Sequence, residues 1–590
     1  MKNIVITGEG IISAIGQNKS AVLESLRERQ TGIGRMKHLR SVHQELPVGE
    51  VDLSDEEMKS LLGMESTKDI SRTSLMGMLA IEQALKEARV KSHEGLRIVL
   101  ISGTTVGGMD VTERYFSDMR HWGEHLDWLL HHDCGDSTKM MADYFGIFSE
   151  WTTLSTACSS AANAIILGAR LLQEGQADIV VAGGTEALSA FHLNGFNSLM
   201  ILDKEVCRPF DASRQGLNLG EGAAFVVMES EESAAERQVP VHAWLSGYGN
   251  ACDAFHQTAS SENGEGPWLA MTEALQMADL KPADIQYVNA HGTGTPNNDQ
   301  TESVALKRVF GCEMPFVSST KSFTGHTTSA SGSIETVICI LALQHQFIPV
   351  NLGWSQPMDE GILPYMGGPL PNPIHHVLCN SFAFGGNDSC LILSDKGRED
   401  LNSEQESDIL DYRVLSRVDI TDEEHLGEIK QYVKPMEVRR MGKLMKSSLL
   451  SSLKALQQAG IEKPDAIITG TAWGCLENSE LLLHHLTEEG EAMSSPTWFM
   501  QSTHNTISSN IAIRLKCHGY NVTYTQGSES LDWALRDAQM LLKSGRYKNV
   551  LVGMHDETTP FYRQAMEQLG VKDLKPVHSV AMVLSVDNQE

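Results

Sequence analysis

The chain has 590 residues, 41% hydrophobic and 21% charged, with a formal net charge of −29. At ~100 to 200 residues per domain, that length calls for three or four packed units. The acidic balance argues against nucleic acid as a partner, because a polyanion would be repelled over most of the surface.

In chain order, short β-branched runs alternate with amphipathic stretches. The start, "MKNIVITGEG", reads as a buried strand and turn rather than a secretory leader. "LRIVLISGTT", "TTLST", "ADIVVAGG" and "AAFVVMES" read as further strands, with "SRTSLMGMLAIEQALKEA" among the helices between them. This alternation predicts an α/β fold with a largely parallel sheet. It resumes in "IQYVNAHGTGT", "PFVSSTKS" and "HVLCNSFAFGG", so two stacked α/β halves are expected, residues 1–240 and 241–395. The polar, acidic "KGREDLNSEQESDILD" then marks a linker over 396–410. Beyond it, over 411–590, the chain begins again: "AIITGTAWGC" matches "IVLISGTTVGG", and from Leu154 to Glu186 the offset is a constant 370. A repeat this wide is a duplicated domain. The copy ends on "HSVAMVLSVD", the counterpart of "GAAFVVMES", so it is expected to be a half unit. The longest apolar runs, such as Val337 to Leu343, are too short to span a bilayer, and a cytoplasmic location is expected.

"TLSTACSSAANAIILGARLL" places Cys158 where a polar strand end meets an apolar helix. Free N–H groups and the positive end of the macrodipole at such a helix start favour the thiolate, the reactive form of cysteine. The ten cysteines are scattered without a CxxC pair, which supports neither a disulfide framework nor a zinc ribbon. His291 in "VNAHGTGTPNND" and Lys321 and His326 in "SSTKSFTGHTTSASGSIE" occupy small-residue loops after separate strands, where parallel α/β folds gather reactive groups.

With "HGTGT", "TKSFTGHT" and "NSFAFGG" following "TACSSAANAI" in that order, the first 395 residues resemble the β-ketoacyl-acyl carrier protein synthases, elongating condensing enzymes of thiolase-like fold. The resemblance implies Cys158 as the nucleophile that takes an acyl group, and His291 and His326 as donors to the enolate formed when malonyl-carrier protein loses carbon dioxide. It implies Lys321 as electrostatic support, with Glu335 as its partner and Glu302 also supporting. The N–H groups of Cys158 and Phe384 match the oxyanion hole, and Phe384 matches the gate. Thr293 and Thr295 look like the hydroxyls that hold the pantetheine arm, and Val106 and Phe196 like acyl-binding residues. No bound cofactor is implied; substrates arrive on the phosphopantetheine arm of acyl carrier protein. "AFGGND" stands where the usual pattern is GFGGTN, so Ala383 and Asp388 depart from it near the gate. The Gly292/Gly294 pair lacks the rest of a dinucleotide fingerprint. No metal site is expected: His131/His132, His375/His376 and His484/His485 are adjacent pairs that cannot face one ion, and surface loops are predicted for them.

In the copy, Ser528 faces Cys158, and neither HGTGT nor GHT is present. A serine without a base is a poor nucleophile, so the copy should not condense by itself. It resembles a truncated chain-length factor, the inactive partner that shapes the acyl pocket in some condensing pairs. A homodimer, or an intramolecular pseudo-dimer with this tail, is therefore expected. The implied activity is decarboxylative Claisen condensation in an aryl polyene or flexirubin-like pathway; the alternatives are housekeeping fatty acid elongation and a non-catalytic pairing subunit. Acidic carrier protein would need a basic docking patch, for which Lys19, Arg27, Arg29, Arg35, Lys37 and Arg40 are candidates. Arg208 is either a docking residue or the partner of Asp211.

Overall fold

The computed structural model describes residues 2–67, 69–92, 95–398, 412–439, 441–491 and 494–586; most of the expected linker, from residue 399 on, lies outside them. The first unit contains strands β1 (Ile4–Ser13), β2 (Ile33–Gly34), β3 (Val48–Gly49), β4 (Ile98–Gly103), β5 (Glu150–Leu154), β6 (Ile179–Glu186) and β7 (Gly222–Ser230). The second contains β8 (Ala243–Cys252), β9 (Tyr287–Asn289), β10 (Phe316–Ser318), β11 (His376–Phe382) and β12 (Asn387–Ser394). The tail contains β13 (Tyr412–Ile420), β14 (Ala466–Gly470), β15 (Asn521–Tyr524), β16 (Asn549–Glu557) and β17 (Val577–Val586).

All but β2 and β3 join one 15-stranded sheet in the order β10-β9-β11-β12-β8-β1-β7-β6-β4-β5-β15-β14-β16-β17-β13. The sheet is mixed, which corrects the expectation of a largely parallel one. β4, β5 and β6, joined by helical crossovers, are parallel, as are β14, β15 and β16. β11 and β12 are antiparallel because only the short turn Ala383–Gly386 connects them. Two apolar helices, Ser160–Gln173 and Ser331–His345, lie against each other and against the sheet, and nearly every residue in them is buried. Strands covered on both faces need continuous apolar runs, and "IVLISG" and "IVVAGG" supply them.

The tail joins edge to edge. Tyr524 of β15 is paired antiparallel with Leu154 of β5. The Ser155 N–H donates to the Thr523 carbonyl (2.9 Å) and the Thr525 N–H to the Thr153 carbonyl (3.0 Å). Each pair is interchanged by the repeat offset, as are Cys134 and His504, 370 residues apart with Sγ and Nε2 at 3.7 Å. The contact is therefore a local two-fold between a domain and its own copy. Beneath it, Arg170 forms a buried ion pair with Asp537, stacks on Tyr520 at 4.8 Å, and shares Asp537 with the Tyr520 hydroxyl at 2.9 Å.

The tail helix Ser530–Lys543 buries eight of its 14 residues, against 13 of 14 in its counterpart Ser160–Gln173. Asp532 and Lys543 face solvent, and Arg536 turns outward to pair with Glu150 at 2.5 Å. Ser528, just before this helix, is exposed. Among the described residues no helix is long and apolar enough to cross a membrane.

The histidine pairs sit at element ends rather than in free loops, because their neighbours are fixed by regular hydrogen bonding. His131 closes the 3-10 turn Leu126–His131, His376 opens β11, and His484 ends helix Leu476–His484.

Removing one member of the buried ion pair strands the other charge. Asp537→Ala should cost about 3–5 kcal/mol in urea unfolding, and the apolar double replacement Arg170→Met with Asp537→Leu should recover most of it.

Candidate active site

β5 ends at Leu154, and the chain turns through the 3-10 segment Ala157–Ser159 into helix Ser160–Gln173. Ala157 sits at φ 50°, a left-handed conformation that costs a residue with a Cβ. The turn is held by Thr156 N–H donating to Ser160 Oγ (2.9 Å) and by the Ser160 hydroxyl donating to the Ala157 carbonyl (2.6 Å). This places Cys158, 6% exposed, at the head of the helix.

His291 follows β9, and His326 follows the short helix Lys321–Thr324. His326 Nε2 lies 3.1 Å from Cys158 Sγ, and its Nδ1 lies 3.0 Å from the Ser331 hydroxyl. The His291 and His326 rings meet edge to face with centroids 5.3 Å apart. Lys321 Nζ donates to the His291 carbonyl and to Glu335, both at 2.5 Å, and lies 3.4 Å from His291 Nδ1. Glu302 accepts from the backbone N–H groups of His291 (2.9 Å) and Gly292 (2.7 Å), so it props the HGTGT loop without touching either ring.

Cys158, His291, His326, Thr293, Thr295, Phe196 and Phe384 all line one cavity of about 410 Å³. The Thr293 and Thr295 hydroxyls are 2.9 Å apart. The Phe384 ring stacks on Phe196 at 5.8 Å. Val106 lies outside the lining, in the apolar cluster that also holds Phe196 and the tail residue Phe499. Lys321, Glu335 and Glu302 stand behind the wall.

Burial pushes the Cys158 thiol up to about 11, against the Lys321 charge and the N–H groups of Phe384 and Cys158, which oppose the shift. The helix start is in place, but desolvation outweighs it, so the sulfur rests as a thiol and not as the expected thiolate. Burial, then the Lys321 charge, holds both His291 and His326 well below the ordinary histidine value. Both rings are therefore neutral, and His326 is placed to accept the thiol proton. Burial raises Glu335 and Glu302 to about 7, with Lys321 pulling Glu335 back down. Donor atoms of Cys158, His291 and His326 lie within 4.8 Å of one another, close enough for a soft cation, but the adjacent Lys321 ammonium opposes one. The second such cluster, Glu9, Glu87 and His242, is already bridged by Lys19 at 2.6 Å (Glu9) and 2.5 Å (Glu87).

That bridge removes Lys19 from the candidate basic patch, and Lys37 is paired with Asp52 at 2.7 Å. Arg208 pairs with Glu205 (3.2 Å) and Asp203 (3.6 Å) rather than with Asp211, whose carboxylate is taken by Ser213, Ser355 and the Gln356 N–H.

Two tail residues missed in the sequence reach this wall. Phe499 packs on Phe196 at 5.1 Å, and Asn505 Nδ2 donates to the Phe384 carbonyl at 2.8 Å. Neither belongs to a motif, and only the folded contact reveals them.

Residues 1–234 match the family described as "Beta-ketoacyl synthase, N-terminal domain" and residues 242–355 "Beta-ketoacyl synthase, C-terminal domain". Residues 420–590 match a second family of the same N-terminal description. The 3-oxoacyl-[acyl-carrier-protein] synthase 2 of Vibrio harveyi is 30% identical over 413 residues, covering 66% of this chain and 98% of its own. Among solved structures, the ishigamide ketosynthase/chain length factor is 30% identical with a TM-score of 0.62, over 67% of this chain and 100% of its own. The PfaC keto synthase-chain length factor, 16% identical, bears on the fold alone, with a TM-score of 0.79 over 100% of this chain and 79% of its own. The chain belongs to the β-ketoacyl synthase family of condensing acyltransferases, on a thiolase-like fold, and carries a second N-terminal-type ketosynthase domain behind the first.

Proposed function

We propose that the chain extends acyl groups held on acyl carrier protein, with Cys158, His291 and His326 as the reacting set. The Cys158 thiol gives its proton to His326 Nε2 as sulfur attacks the incoming thioester. The acyl group passes to Cys158, and His326 returns the proton to the departing pantetheine thiol. Malonyl-carrier protein then loses carbon dioxide; His291 donates to the enolate oxygen, and His326 donates beside it in the tautomer that carries its one proton on Nε2, with Nδ1 accepting from the Ser331 hydroxyl. The enolate carbon attacks the acyl carbonyl, the carbon–sulfur bond to Cys158 breaks, and one proton is taken up to restore the thiol. The N–H groups of Cys158 and Phe384 hold the oxyanion of both tetrahedral intermediates. Thr293 and Thr295 bind the pantetheine arm, Phe196 the acyl chain, with Val106 packed behind it. Lys321, held by Glu335, adds to burial in keeping the imidazoles neutral, and Glu302 fixes the loop that presents His291. The observation that carries this reading is the 3.1 Å contact of His326 with Cys158, on the cavity that also receives His291 and the two threonines.

The tail, 411–590, is read as a chain-length-factor-like partner acting within the chain as one half of a pseudo-dimer, with 1–240 and 241–395 as the two synthase halves. Support comes from Phe499, which packs on Phe196 behind the cavity wall, and from Ser528, which is exposed rather than held in a pocket like that of Cys158. A tail of this kind favours a specialised aryl polyene or flexirubin-like pathway over housekeeping elongation.

Mass spectrometry with acyl-carrier protein tests the core of the proposal: the acyl mass should appear on Cys158 and vanish in Cys158→Ala. In His291→Ala, the acyl transfer should persist while carbon dioxide release falls by about 100- to 1,000-fold. Phe499→Ala should lengthen the products made from one starter; unchanged lengths would remove the tail from the acyl pocket. Because burial pushes the Cys158 thiol up to about 11, alkylation of Cys158 by iodoacetamide should climb about tenfold per pH unit from 6 to 9 without levelling off; a plateau near neutrality would restore the thiolate picture.

A further inference from the structure

The turn that carries Phe384 is fastened largely by the tail. Asn505, 1% exposed, donates through Nδ2 to the Phe384 carbonyl and to Asn387 Oδ1, both at 2.8 Å. Asn387 donates onward to the Asn521 carbonyl (3.0 Å) and Oδ1 (2.9 Å) and accepts from the Ser509 hydroxyl at 3.1 Å. On the other side of the turn, the Gly385 N–H donates to the Gln257 carbonyl at 2.7 Å, and the Gln257 side chain is held by Asn510 at 2.8 Å. Asn505, Ser509, Asn510 and Asn521 all belong to the tail.

The approach is too close for any other residue at Gly385. It sits at φ 85°, and a Cβ there would meet Ser509 Oγ at 2.2 Å and Asn505 Nδ2 at 2.7 Å. Asn387 also occupies the place of Thr in the usual GFGGTN pattern, so the departure in "AFGGND" falls where the tail attaches. A second line of contact runs through rings, Phe384 on Phe196 and Phe196 on Phe499. Asn505 Oδ1 is buried and has no hydrogen-bond partner among the described residues. The amide that grips the turn is thus only half satisfied while it grips.

We propose that Asn505 is a positioning residue that latches the Phe384 turn over the acyl cavity, so that the gate opens only when the tail lets go, and that Phe499 makes the latch respond to an acyl chain beside Phe196. A chain pushing between Phe196 and Phe384 moves the Phe384 ring and draws its carbonyl off Asn505. The tail thereby couples occupancy of the pocket to access to Cys158. The inference rests on the reading of Phe384 as gate and of Cys158 as acyl carrier.

The test uses the full chain, wild type, Asn505→Ala and the near-isosteric Asn505→Asp, which keeps the volume but loses both donated hydrogen bonds. Modification of Cys158 is followed by peptide mass spectrometry with N-dodecylmaleimide, which must pass the gate with its tail, and with iodoacetamide, which is small. Loss of the latch should raise the dodecylmaleimide rate about tenfold in both variants, leaving the iodoacetamide rate within about twofold, because a hydrogen bond of ordinary strength shifts a two-position equilibrium by that order. It should also lower KM for long acyl-carrier substrates more than it changes kcat. An unchanged ratio of the two rates in either variant overturns the proposal, as does an Asp variant that behaves like wild type, because packing alone would then account for Asn505. A lowered melting temperature with both rates moved equally assigns Asn505 a structural role and also overturns it. If the ratio shifts but wild-type Cys158 never takes an acyl group from carrier protein, the latch stands and the proposed chemistry falls.

Discussion

A strand edge complementary to its own copy organises this protein. β5 meets β15 at Leu154 and Tyr524, and the backbone bonds of Ser155 and Thr525 close the pair from both sides. Cys158 follows only three residues after Ser155, so the register of the domain contact also sets where the sulfur stands. A one-residue slip would reverse which side chains face the core and would carry the elbow away from His326. The buried Arg170–Asp537 pair lies next to this seam, where desolvation makes any arrangement other than the matched one expensive.

Burial dominates the electrostatics of the site. Burial in the cavity wall denies the resting sulfur its charge and keeps both imidazoles neutral. The ammonium of Lys321 is tolerated in the same wall because Glu335 and the His291 carbonyl accept from it. Under the proposed chemistry, the fixed N–H and imidazole donors would meet charge only as it forms. Strain is distributed in the same sense: Ala157 holds φ 50° beside Cys158, whereas the equivalent turn before Ser528 has Gly527 at φ 54°, where the conformation is free of that cost.

The motifs were legible in sequence because each lies on one short segment whose residue types have a local reason: small residues at the Cys158 elbow, glycines in HGTGT, an apolar helix after His326. The strands of both copies were readable from β-branched runs, and the duplication from a constant offset. The antiparallel strands were less visible, because β11 and β12 differ from the parallel set by the turn between them and not by composition. A helix start is visible in sequence and desolvation is not, so the thiolate expected at Cys158 gives way to a buried thiol. Phe499 and Asn505 were invisible for a further reason. They act on Phe196 and Phe384 across 303 and 121 residues of chain (499 − 196 and 505 − 384), and nothing local distinguishes them from ordinary core and cap residues.

The outward face of helix Ser530–Lys543 bears on how the duplication could be reversed. At the positions of the buried Ala162 and Ile166 the tail has Asp532 and Arg536. Grafting a second half onto the tail would drive the Asp532 carboxylate into an apolar layer, whereas Arg536 is held across the seam by Glu150 and Gln176, so a second complete unit would first need this helix rewritten. The polypeptide pairs one two-half ketosynthase with a lone N-terminal-type half whose outer helix is built for solvent.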